Sequence, residues 1–138
     1  MKIENGEILP GLSISNIRLG ITKEELIELI GKDYEQNDSK YTTIITVENA
    51  GFWISAEKKR INQIGVWGDF QGKYKDIIGI GSTLEDVKKH IGEYDNEWDT
   101  YGVVNDKGIC FELGDTEDDD KWDELTAPIE IIFVYTED

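Results

Sequence analysis

The sequence predicts an α+β fold: two related helix-plus-antiparallel-sheet repeats that form one domain, with a continuous sheet backed by the helices. Three observations predict it. A segment recurs, since Ile17-Arg-Leu-Gly20-Ile-Thr22-Lys-Glu24-Glu25-Leu26-Ile-Glu-Leu29-Ile30-Gly31 aligns with Ile78-Gly-Ile-Gly81-Ser-Thr83-Leu-Glu85-Asp86-Val87-Lys-Lys-His90-Ile91-Gly92, with six of 15 positions identical. Each copy reads as a short capped helix. Each is followed by runs of β-branched and aromatic residues separated by turn residues. At 138 residues one domain, 1–138, is the natural division, with repeat one at about 12–67, a linker at about 68–76 and repeat two at about 77–136.

The elements follow in order. Gly6 to Ile14 adds an N-terminal strand broken at Pro10-Gly11. Thr22 and Glu25 form a capping box, and Leu26, Leu29 and Ile30 make a narrow apolar stripe before the stop at Gly31. A helix this short is marginal alone and must dock on other structure. Tyr41 to Val47 reads as a strand, Glu48-Asn-Ala-Gly51 as a turn, Phe52 to Ala56 as the return, and Ile61 to Trp67 as a third strand after Lys58-Lys-Arg60. Phe70 to Asp76 links the copies. The second helix, capped by Thr83 and Asp86, ends at Gly92. Trp98 to Val104, Ile109 to Leu113 and Ile129 to Tyr135 are its strands, with an acidic insertion at about Gly114 to Pro128.

Side chains alternate along a strand, so placing one places its neighbours. Pairing Val47 with Phe52 puts Ile45, Val47, Phe52, Ile54 and Ala56 under the helix. In the second copy Val104, Ile109, Phe111 and Leu113 face the helix, while Tyr101, Val103, Cys110 and Glu112 face away. Trp53, Trp67, Tyr101, Phe133 and Tyr135 then lie on the uncovered face. Three occupants are open for it: the other half of the molecule, a second copy in a homodimer, or a partner protein gripped by aromatic anchors.

Charge excludes several functions. There are 30 Asp and Glu against 14 Lys and Arg, a net of −16. Residues 1–92 hold 14 acids and 12 bases, a net of −2, while residues 93–138 hold 16 acids and two bases, a net of −14. Such a chain opposes nucleic acid, whose phosphates require cations, and anionic membrane. No apolar run approaches the roughly 18 residues of a transmembrane helix. The polar, acidic first residues lack a signal-peptide pattern, so the expected location is cytoplasmic.

No catalytic constellation emerges, and the expectation is a protein that is not an enzyme and uses no cofactor. His90 aligns with Leu29 on the apolar stripe and reads as a core-edge histidine. Cys110 lies mid-strand with no nearby cation to depress its pKa. One His and one Cys provide no zinc spacing, so no metal is expected. Gly79-Ile-Gly81 precedes an acidic helix start, which repels phosphate. Asp115 to Glu124 carries seven acids and one Lys. It lacks the glycine and terminal Glu of an EF-hand, and whether it takes calcium is left open. Trp122 within it points to a partner, because acids with an embedded aromatic offer a surface to a basic protein. The candidate partner-binding residues are Trp53, Trp67, Tyr101, Glu112, Asp118, Asp119, Asp120, Trp122, Phe133 and Tyr135.

The motif Ile17-x-Leu-Gly20-x-Thr22-x-Glu-Glu-Leu26-x-x-x-Ile30-Gly31 and its copy ending at Ile91-Gly92 resemble the tandem beta-lactamase inhibitor protein fold and its relatives, among them small outer-membrane assembly lipoproteins. The resemblance implies two units forming a concave sheet that grips a partner. The stretch from Gly11-Leu-Ser-Ile14 to Gly20 also looks like the start of bacterial immunity proteins that neutralise polymorphic or contact-dependent inhibition toxins. The chain has no lipobox Cys, and its single Cys forms no internal disulfide of the kind the secreted inhibitors carry. The expected function is therefore that of an immunity protein, binding a cognate toxin domain such as a basic nuclease and blocking it sterically. The alternatives are a non-catalytic interaction or dimerisation module and, last, a carboxylate-dependent hydrolase.

Overall fold

Strand-forming runs dominate the chain, and they pair into one large sheet. The structure is a computed structural model that describes residues 2–114 and 121–136. Three two-residue strands, β1 (Ile8–Leu9), β2 (Ser13–Ile14) and β3 (Ile17–Arg18), form a small antiparallel sheet. Helix α1 (Lys23–Ile30) follows, then β4 (Glu35–Asp38), β5 (Thr42–Val47), β6 (Ala50–Ser55) and β7 (Ile61–Trp67). Helix α2 (Leu84–His90) leads to β8 (Tyr94–Glu97), β9 (Thr100–Val103), β10 (Asp106–Leu113) and β11 (Ile129–Tyr135). The large sheet has eight antiparallel strands in the order β4-β5-β6-β7-β11-β10-β9-β8. The order reads alike from both edges, with β7 against β11 at the centre. These two strands share one burial pattern, residue for residue.

The fold is mostly β, which corrects the expected α+β architecture of helix-backed repeats. The reason is one of size. Eight strands at about 4.8 Å spacing make a sheet about 34 Å wide, whereas α1 and α2 have eight and seven residues, each about 10–12 Å long. Each helix buries only two side chains, Leu26 with Ile30 and Leu84 with Val87. The N-terminal segment and the linker do much of the covering: Ile3, Ile8, Ile14, Ile17, Phe70, Tyr74 and Ile78 all join the core. Among the described residues no helix is long and apolar enough to cross a membrane.

Two cross-strand rows define the covered face. Ile45, Phe52, Ile64, Val134 and Ile109 run side by side across five strands, and Ala50, Val66, Ile132, Phe111 and Tyr101 across another five. All are buried. Tyr101 is thus on the covered face, 5% exposed, and not on the open one as its alternation predicted. A register shift between Asp106 and Cys110 is the cause: Val103 pairs with Asp106, yet Gly102 pairs with Cys110. The strand against β9 gains three residues there, and an odd slip exchanges the faces; it also puts Val103 inside and leaves Val104 exposed.

Both capping boxes are present, Thr22 with Glu25 and Thr83 with Asp86. His90 departs from expectation. It is exposed at the last turn of α2, beside Lys88 and Lys89, as Leu29 is exposed on α1. The helices touch the core through two positions each, so the third place on the stripe faces water. The edge strands β4 and β8 were not foreseen, because Glu35-Gln-Asn-Asp38 and Tyr94-Asp-Asn-Glu97 carry no apolar alternation. Polar edges of this kind discourage pairing with other chains.

The N-terminal segment is held by one buried polar side chain. Asn49, 3% exposed, accepts from the Ile3 N–H at 2.9 Å and donates to the Ile3 carbonyl at 3.2 Å. Its side chain gives Ile3 the two bonds a neighbouring strand would have supplied.

Candidate functional site

One row of residues crosses all eight strands on the open face: Glu35, Thr46, Gly51, Gly65, Phe133, Cys110, Gly102 and Asp95. Three of the eight are glycines, and they form a floor without side chains. On the β4–β7 half the floor is filled. A Cβ at Gly51 would lie 2.9 Å from the Trp67 ring and 3.1 Å from the Trp53 ring, so both indoles lie over it. Trp67 Nε1–H donates to the Glu48 carbonyl at 3.0 Å. Trp53 meets Phe133 edge-on at 5.8 Å and 72°. These aromatics are packed against the sheet they stand on.

The β8–β11 half is open. Because Gly65 pairs with Phe133 and the flanking strands repeat outward, Gly51 corresponds to Cys110 and Phe52 to Phe111. By the same count Glu112 takes the place of Trp53, and Tyr135 that of Trp67. A carboxylate thus replaces the indole that would have covered the floor. The result is a groove of about 440 Å³ over Gly102 and Cys110, within the range of ligand clefts.

Its lining is acidic and aromatic. Asp95, Glu97 and Glu112 border it with Lys107, and Phe133, Tyr135 and Trp98 supply rings. The Asp95 carboxylate leans over the floor, 2.9 Å from where a Cβ on Gly102 would be. None of Asp95, Glu97 and Glu112 forms a salt bridge with a described cation. Trp98 is 93% exposed, the most exposed of the large apolar side chains. It and Asp99 form the two-residue turn between β8 and β9, with φ of 55° and 65°. Such turns favour Asn-Gly, since both positions need a left-handed backbone. A tryptophan there is placed against local preference and presents its whole ring to solvent.

The structure thus brings together Glu112 and Tyr135 of the predicted residues on the open face, with Phe133 there too but buried, 8% exposed, against Trp53. Trp67 stands beside a second hollow of about 620 Å³ with Ile80, Pro128 and Ile131. Tyr101 lies on the opposite, covered face of the sheet, in the row of Phe111 and Ile132. Trp122 is 37% exposed, and its indole N–H donates to the Gly114 carbonyl at 3.1 Å. This bond joins described residues on either side of 115–120, and Trp122 keeps a partly open ring. Asp118, Asp119 and Asp120 lie outside the described residues. Asp95, Glu97 and Trp98 were missed. Their signal was a tryptophan between Glu97 and Asp99 in a polar stretch, which reads as a turn once β8 is recognised.

Cys110 is on the groove floor, but burial, reinforced by Glu112, pushes its thiol up to about 11, so little thiolate forms near neutral pH. Among the described residues no group of three or more His, Cys, Asp and Glu is disposed to hold a metal ion. Compared with protein-family models, with curated proteins and with solved structures, the chain gives no match.

Proposed function

We propose that this protein binds and neutralises a cognate bacterial toxin domain, a basic nuclease, by occupying its active site without chemistry of its own. One observation carries the reading: Trp98, 93% exposed, borders an acidic groove on an open sheet face. An aromatic anchor beside carboxylates suits a cationic protein surface. The net of −14 on residues 93–138 supports the same partner, because it accelerates encounter with a positively charged domain. The reading also draws on the likeness of the repeated helix motif to immunity proteins.

The test is protection. Cells expressing the toxin domain encoded directly upstream of this chain are compared with and without the chain. Survival restored by the chain supports the reading. Killing unchanged at full expression of a folded chain, or an upstream gene that encodes no toxin, counts against it.

A further inference from the structure

We infer that the groove over Gly102 and Cys110 is an arginine subsite: it takes a guanidinium from the basic partner, stacked on Trp98 and forked against the carboxylates. The inference deepens the toxin-binding reading and rests on it. Three features of the site select the occupant. The charge is complementary, with three carboxylates against the single Lys107. The floor at Gly102 carries no side chain, so a long side chain reaches the backbone, where the Asp95 carboxylate already leans inward. The wall is an indole, whose face attracts a cation and best accommodates a planar one.

Arginine fits better than lysine on geometric grounds. A guanidinium stacks and donates two parallel N–H bonds to one carboxylate, whereas an ammonium is a point charge that keeps its water. Among the described residues no cation forms a salt bridge with Asp95, Glu97 or Glu112, which leaves these acceptors to a ligand. The same frame explains why the site exists on one half only. Trp53 fills the matching place over Gly51, whereas Glu112 leaves the space over Cys110 open and charges it.

The test is a nitrogen-15 NMR titration of the full chain with a short Gly/Ser peptide bearing two arginines, and with its twin in which citrulline replaces arginine. Citrulline keeps the shape and loses the charge. The arginine peptide should shift the Trp98 indole and the Gly102 and Cys110 amides, and the citrulline peptide should bind at least tenfold more weakly. Trp98→Asn and Glu112→Gln should each weaken the arginine peptide several-fold; both suit their local backbone, so the folded spectrum should persist. Equal shifts from the two peptides, or shifts confined to residues 115–124, overturn the proposal. The two readings fail separately. Peptide binding at the groove without toxin neutralisation defeats the immunity reading alone. Full neutralisation by both variants defeats the arginine subsite alone.

Discussion

Phe133 stands directly across from Gly65 at the centre of the eight-stranded sheet, and its ring occupies the place of the side chain Gly65 lacks. A Cβ on Gly65 would fall 2.9 Å from Phe133 Cδ1 and Cε1. The pair sits where the two halves of the strand order meet, and two large residues could not share it on one face. Gly65→Ala should therefore destabilise the fold by about 1–3 kcal/mol, the usual range for overpacking. Urea unfolding measures it. Phe133→Ala in the same chain should make the cost of Gly65→Ala largely disappear, since residues in contact do not add. Strict additivity would mean that the ring does not set the limit.

Trp98 should be dispensable for stability. Replacing Trp98-Asp99 by Asn-Gly supplies the residues that a left-handed two-residue turn prefers. The double change should raise stability by about 0.5–2 kcal/mol, read from thermal or urea unfolding. Protection against the toxin should fall at the same time. A loss of stability would indicate that Trp98 packs on the fold and is not held out for a partner.

Asn49→Ala should cost about 1–3 kcal/mol, because it leaves both Ile3 backbone groups without partners in a buried setting. Hydrogen exchange should report the loss first at the Ile3 amide. Unchanged protection there would rule out the clamp.

Alkaline unfolding should follow the tyrosines. Tyr94 is pushed up to about 12, chiefly by the hydrogen bond its hydroxyl donates to Glu124 at 2.7 Å. Tyr74, fully buried and donating to Asp106, and Tyr101 are raised as well, by burial first. A phenol in the unfolded chain titrates near 10. The stability from Tyr94 is therefore complete below about pH 10 and is lost as pH rises through about 12, and the other two phenols act in the same direction. Tyr94→Phe should flatten the decline in that window while leaving neutral-pH stability little changed, since this contact is largely solvent-screened. An unaltered alkaline limb would show that Glu124 does not hold the hydroxyl.

Cys110 should alkylate slowly in the native protein. Raising its thiol from 9.0 to about 11 reduces the thiolate fraction about 100-fold at pH 8. Iodoacetamide labelling should accelerate sharply on unfolding. Fast native labelling would place the thiol outside the groove floor.

Neutralising Asp118, Asp119 and Asp120 together should slow association with a basic toxin and reduce its salt dependence, leaving dissociation nearly as before. The segment 115–124 carries seven acids against one Lys, and at physiological salt its field reaches about 8 Å. Unchanged association kinetics would remove the segment from the encounter.

Local chemistry determined much of this protein from sequence alone. Thr22 with Glu25 and Thr83 with Asp86 named the helix starts, because capping boxes act within one turn. The β-branched and aromatic runs named six strands, among them β7 and β11 at the predicted bounds. Charge counts named the acidic half. What required the tertiary structure was everything set by register and by the size of the sheet. A single shift between Asp106 and Cys110 moved Tyr101 from the open face to the core, and alternation cannot anticipate a bulge. The polar edges β4 and β8 exist because their neighbours offer unpaired backbone, so propensity is silent about them. The mostly β architecture, in place of helix-backed repeats, follows because two-turn helices are too short to cover eight strands. The groove depends on all of these. Asp95, Gly102, Cys110 and Phe133 are distant in sequence and adjacent only across paired strands, and the exchange of Trp53 for Glu112 becomes visible only when the two halves are superposed through Gly65 and Phe133.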